Sequence, residues 1–139
     1  NKKWKNKDKI RKFIENAKND EIKIKICLIL GLPGEPEDIT KKTISFLSET
    51  KPDYVAVSGF CPIPGSPIFM NPEKYGIKTI DNDWSKHAHL LFRFAEEEEV
   101  GIPFEYSENT PWGRGFTKNE IVNNIKELQS WLNNNSMVY

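Results

Sequence analysis

The sequence predicts an α/β fold built on parallel strands. Three observations carry this: apolar residues at helical spacing over 8–19, apolar residues at every second position from 22 to 30, and a repeat of the helix–strand order over 36–60. Two strands joined through a helix run parallel, because the crossover returns the chain to the end of the sheet where it started. With 139 residues the chain suits about one domain of ordinary size, large enough to bury a core.

The elements follow in order. Ile10, Phe13, Ile14 and Ala17 fall at i, i+3, i+4 and i+7 and mark one face of a first helix. In 22–31, Ile22, Ile24, Ile26, Leu28 and Leu30 point one way, and Lys23, Lys25, Cys27, Ile29 and Gly31 the other. Gly31-Leu32-Pro33-Gly34-Glu35-Pro36 is a turn into a second helix, with Pro36 expected at its first position and Glu37 and Asp38 at its positive end. Pro52 punctuates, and Asp53 to Phe60 reads as a second strand. Cys61 to Pro67 is a stiff Pro/Gly loop, Asn71 to Gly76 a short helical turn, His89 to Phe94 a strand or else a buried helix, and Ile102 to Tyr106 an edge strand. Residues 117–133 carry the best-signalled helix: Thr117 and Glu120 make a capping box, and Phe116 with Ile121 a hydrophobic staple. Asn133 to Tyr139 reads as a frayed tail.

Composition excludes several classes. Hydrophobic residues make up 37% and charged residues 29%, as in a soluble globular chain. No apolar run nears the ~20 residues of a membrane span, and no apolar region follows the basic N-terminus as in a signal peptide, so a cytoplasmic location is expected. Two cysteines, Cys27 and Cys61, cannot build a disulfide scaffold. Nor can they alone hold a structural zinc or an iron–sulfur cluster, which take about four ligands. Net charge is zero, yet residues 1–25 hold ten Lys/Arg against four Asp/Glu. That stretch reads as a solvated helix face, because its lysines alternate with apolar residues and no aromatic stacking platform accompanies them.

The glycine loop after the first strand is the leading candidate site, since ligands of open α/β sheets sit beyond the carboxyl ends of strands. Phosphate is disfavoured: Glu35, Glu37 and Asp38 occupy the place an anion would take, and Gly31 and Gly34 lack Walker spacing. Spacing alone leaves two readings open, a turn capped by its own acids and a site for a neutral or cationic ligand. In a parallel sheet the loops Gly31–Glu35 and Phe60–Gly65 share one rim. Their backbone groups can bond a flat heterocycle, with Ile29 and Phe60 packing on its faces. His87 and His89 lack a third ligand at a telling spacing and read as loop chemistry; Cys27 reads as a packing residue, Glu96 to Glu99 as a solvated face, and Trp112-Gly113-Arg114-Gly115 as a turn.

At these residues the sequence resembles a known family. Ile29-Leu30-Gly31-Leu32-Pro33-Gly34-Glu35, then a helix, then Pro52-Asp53-Tyr54-Val55 and Pro62-Ile63-Pro64-Gly65-Ser66-Pro67 is similar to the second half of the radical SAM catalytic core. The match is closest to the branch that often carries a cobalamin-binding domain. The resemblance implies a fragment of a partial (β/α)6 TIM-like barrel, with the last β/α units in 1–75 and a C-terminal extension in 76–139. Residues 22–31 would be the fifth strand and 53–60 the sixth. The family's fifth-strand motif, G-x-I-x-G-x-x-E, borders the adenine of S-adenosylmethionine. Ile29 and Gly31 match it, Cys27 replaces its first glycine, and Glu35 falls one place late. The implied cofactor-binding residues are Ile29, Leu30, Gly31, Gly34, Glu35, Phe60 and Pro62, with no catalytic and no metal-binding residue in the chain.

The family holds a [4Fe–4S] cluster on C-x3-C-x2-C, which this sequence lacks, as it lacks the family's glycine-rich second-strand motif and the cobalamin signature. The resemblance therefore implies the C-terminal part of a larger enzyme that reductively cleaves S-adenosylmethionine and acts on an unknown small molecule, possessing no activity as this piece alone. Its partners would be the missing N-terminal half of the same enzyme and, through an exposed strand edge or open inner face, a second copy. No membrane or nucleic-acid partner is expected. Two other classes stand beside this reading: a free-standing module that binds a small heterocycle, and a docking domain without ligand.

Overall fold

A computed structural model describes residues 6–87 and 101–138. The expected strand or helix at His89 to Phe94 and the acidic run Glu96 to Glu99 lie outside the described residues.

Helix α1 (Lys7–Asn19) is capped by the Asn6 side chain, which accepts from the Asp8 and Lys9 N–H groups. Its apolar stripe is only half used: Ile14 and Ala17 are buried, whereas Phe13 is 66% exposed. Residue 22 does not join the strand. Glu21 adopts φ +58°, and Ile22 N–H bonds back to Ala17 C=O at 2.8 Å. The pattern is a left-handed helix cap, which satisfies an end carbonyl of α1 and leaves Ile22 on the surface.

Strands β1 (Lys25–Leu30) and β2 (Tyr54–Gly59) pair in parallel, with Lys25 opposite Tyr54 and Leu30 opposite Gly59. Between them runs α2 (Ile39–Thr50). It starts later than expected: Pro36 C=O accepts from Ile39 N–H in a preceding turn, and Asp38 is the N-cap residue. The fold is thus mixed α/β with small sheets. The described residues show no barrel arc.

The second half keeps the expected helical turn after Asn71, the strand before Tyr106 and the last helix, and adds short elements that periodicity did not announce. A short helix α3 (Pro67–Met70) and a 3₁₀ turn (Pro72–Tyr75) lead to β3 (Ile77–Ile80), which pairs antiparallel with β4 (Phe104–Tyr106). A second 3₁₀ turn covers Trp84–His87. Strands β5 (Asn109–Thr110) and β6 (Gly113–Arg114) close a hairpin. Helix α4 (Lys118–Asn134) then carries both halves of the expected capping box.

Ile121, Ile125, Leu128 and Leu132 of α4 are buried, and they share one core with Leu47 of α2 and Leu30, Val55 and Val57 of the sheet. Each such side chain contributes roughly 1.5–3 kcal/mol of transfer free energy. The last residues are not frayed. Met137 C=O accepts from Val55 N–H at 2.7 Å, and Val138 bridges Val55 in parallel, so residues through 138 line the outer edge of β2.

Candidate functional site

Helices cover one face of the β1–β2 pair. The opposite face carries Lys25, Cys27 and Ile29 beside Tyr54, Ala56 and Ser58, their register partners. Cys27 is exposed rather than packed, and Ile29 is 54% exposed. Both sit on the odd positions of β1, whereas the core takes the even ones.

At the carboxyl rim the two expected loops meet. Phe60 N–H donates to Leu30 C=O at 2.6 Å, which holds the end of β2 against the end of β1. Gly31 follows with φ +88°, a conformation that favours glycine, and a Cβ there would stand 2.9 Å from Cγ2 of Ile121. Its N–H donates to Glu35 Oε2 at 2.9 Å, and its C=O accepts from the Tyr106 hydroxyl at 2.9 Å. Gly34, at φ +76°, lies against the backbone of Trp112, so the β5–β6 hairpin sits on the glycine loop.

The electrostatics follow from burial. Glu35 is pushed above its ordinary carboxylate value mainly by desolvation, which outweighs the Gly31 and Leu32 N–H groups that stabilise its charge. Burial, reinforced by the nearby Glu35 charge, also raises the Tyr106 phenol, which stays protonated and donates to Gly31. Phe60 stacks on Tyr106 with centroids 6.5 Å apart and meets Phe104 edge-on at 5.6 Å.

The rim therefore divides its residues between two tasks. Leu30, Gly31, Gly34 and Glu35 hold the loop: Leu30 is in the core, and the polar groups of Gly31 and Glu35 bond one another. Phe60 is half-buried and stacked, and Pro62 is buried. Ile29 is exposed, as are Leu32 at 40% and Ile63 at 66%. Exposed large apolar groups on the strand end and its two following loops are of a kind that suits the faces of a flat, weakly polar ligand.

Three features escaped sequence reasoning. Tyr106 bonds across 75 positions to Gly31, and nothing local announces that. Arg114 pairs with Glu120 at 2.7 Å and Glu37 at 3.2 Å, tying the hairpin to α4 and the glycine loop. His87, read as loop chemistry, is buried with both ring nitrogens engaged: Nδ1 lies 2.9 Å from Pro62 C=O and Nε2 2.6 Å from Asp81 C=O. Among the described residues no three His, Cys, Asp or Glu side chains gather into a metal site.

Comparison with known proteins adds a distant likeness. No family model matches the chain, and neither does any solved structure. Ribosomal protein uS12 methylthiotransferase RimO of Roseiflexus castenholzii is 27% identical over 92 residues, covering 65% of this chain and 19% of that protein. An uncharacterized protein of Methanocaldococcus jannaschii is 36% identical over 66 residues, covering 46% of this chain and 13% of that protein. The chain thus spans less than a fifth of either relative's length. The first likeness points toward the radical SAM superfamily and to nothing finer.

Proposed function

We propose that this chain is the C-terminal part of a radical SAM enzyme, and that the β1–β2 rim supplies part of the adenine pocket for S-adenosylmethionine. The observation that carries the reading is the composition of the open sheet face. Parallel strands are normally covered on both faces, yet here helices cover one and leave Cys27, Ile29 and Ala56 on the other. Such a face fits the inner wall of a barrel whose other strands come from elsewhere in a longer enzyme. The likeness to a methylthiotransferase supports the same class.

In this reading Ile29 packs on one face of the adenine. Gly31 and Glu35 keep the loop in shape, while Phe60 sets the neighbouring wall through its stack on Tyr106. The chain does not fit the iron–sulfur cluster: its two cysteines lie at separate places, one on β1 and one in the loop after β2. S-adenosylmethionine in such enzymes is held largely by the cluster iron, as the family resemblance implies. The rim alone must offset several kcal/mol of lost translation and rotation, so its affinity is expected to be weaker than millimolar.

The test uses the longest protein encoded around this sequence, reconstituted anaerobically with iron and sulfide. Expected are a reducible [4Fe–4S] signal and release of 5′-deoxyadenosine, with Ile29→Asp raising KM for S-adenosylmethionine more than it lowers kcat. A protein with no three-cysteine motif, or one that binds an adenine nucleoside at micromolar Kd as this chain alone, overturns the reading in favour of a free-standing binding module. The partner reading follows: the missing strands would cover the open face, and in their absence a second copy would take it, with Lys23 and Lys25 limiting growth beyond a dimer.

A further inference from the structure

His87 sits in a surrounding that its neutral form cannot satisfy. A neutral imidazole carries one N–H and one lone pair. Both nitrogens of His87 face backbone carbonyl oxygens, Pro62 at 2.9 Å and Asp81 at 2.6 Å. Two acceptors ask for two donors, so the doubly protonated ring is the form that fits. At 4% exposure that cation needs an anion close by.

Among the described residues the groups around the ring are few. α3 contributes Phe69, whose ring meets the imidazole edge-on at 5.1 Å. The Asp81 carboxylate holds Lys86 Nζ at 2.6 Å and the Asp83 N–H at 2.9 Å, and Asp83 in turn holds Ser85. The loop after β2 contributes Cys61, whose Sγ lies 3.6 Å from His87 Nδ1. The same sulfur is 3.9 Å from Pro62 C=O, a long reach for a thiol donor. The Asp81 carboxylate is shared with Lys86, and among the described residues the Cys61 sulfur is the acidic group in direct contact with an imidazole nitrogen.

We propose that Cys61 and His87 form a thiolate–imidazolium pair, and that Cys61 is a nucleophilic site for soft carbon electrophiles at the carboxyl rim of β2. Cys61 is half-buried, and the ring beside it is fixed through both nitrogens. In the simplest such reaction the thiolate sulfur attacks the methylene carbon of iodoacetamide. An S–C bond forms, the C–I bond breaks, and iodide leaves with the electron pair. The thiol proton already resides on His87. This assignment does not rest on the radical SAM reading.

Cys27, exposed on the sheet face, is an internal reference in the same chain. Brief iodoacetamide pulses from pH 5 to 10, read site by site by mass spectrometry, should label Cys61 at least about tenfold faster than Cys27 near pH 6.5. The Cys61 midpoint should fall at least about one pH unit lower than that of Cys27. His87→Gln should remove both advantages while the circular dichroism spectrum stays native. If that variant unfolds, nitrogen-15 NMR of the unsubstituted chain decides: two protonated ring nitrogens on His87 at pH 7 support the pair. A Cys61 midpoint at or above that of Cys27, no labelling of Cys61 in the folded chain, or a His87 ring with one bare nitrogen overturns it.

Discussion

The two faces of the β1–β2 sheet come from the same six-residue strands, yet they live in different solvents. On one, Leu30, Val55 and Val57 are at most 3% exposed beneath α2 and α4. On the other, Ile29 and Cys27 meet water, and Tyr54, Ala56 and Ser58 are half-buried. The side chains alone do not explain the contrast, since isoleucine stands on the open face and half-buried Ile26 on the covered one. Burial here is decided by what packs above each face, so the covered face carries stability and the open one meets water.

The sharpest test sets one face against the other. Leu128→Ala, under the covered face and fully buried, should cost about 2–5 kcal/mol in urea unfolding, because it leaves a cavity. Ile29→Ala on the open face should stay within about 0.5 kcal/mol. A similar loss at Ile29 would mean that its face is covered in solution, and loss of that effect on dilution would identify a second copy as the cover.

A second comparison separates the loop's shape from its surface. Gly31→Ala must adopt a positive φ and press on Ile121, and should cost about 1–3 kcal/mol by chemical denaturation. Tyr106→Phe removes only the hydroxyl bonded to Gly31 C=O, and should cost about 1 kcal/mol. Thr117→Ala, at the start of α4, should cost a similar ~1 kcal/mol through the lost cap.

The smallest effects are in pH dependence, and the two carboxylates act in opposite senses. Glu35 titrates above its ordinary 4.5 in the folded chain. The folded state then holds the extra proton, so this contribution is complete below pH 4.5 and is lost as pH rises through the raised value. Glu120, held by Arg114 and the Thr117 N–H, is lowered to about 2. Its contribution is present above 4.5 and fades as pH falls toward 2, muted because the group is largely in water. Glu35→Gln should flatten the first slope and Glu120→Gln the second, both read from midpoints of unfolding between pH 2 and 8.

Much of the first half and the start of the last helix were legible because their signals are local. Alternation placed β1 and β2, their helical connection made them parallel, and Thr117 with Glu120 marked the start of α4 within one turn. The meeting of the Gly31 and Phe60 loops also followed, since parallel strands end at one rim. Ile22 misled because an apolar residue in register with a strand also serves a helix cap. The C-terminal tail misled because its polar composition hides a backbone bond from Val55 to Met137.

Local order, strand direction and capping were thus determined by the sequence alone, because each depends on residues within a few positions of one another. The tertiary structure alone decided that Tyr106 would hold Gly31, that His87 would be buried between two carbonyls beside Cys61, and that Cys27 would face water. Those outcomes depend on which surfaces meet across dozens of positions. Hydrogen bonds and desolvation act through space, and neither leaves a period in the chain from which it can be read.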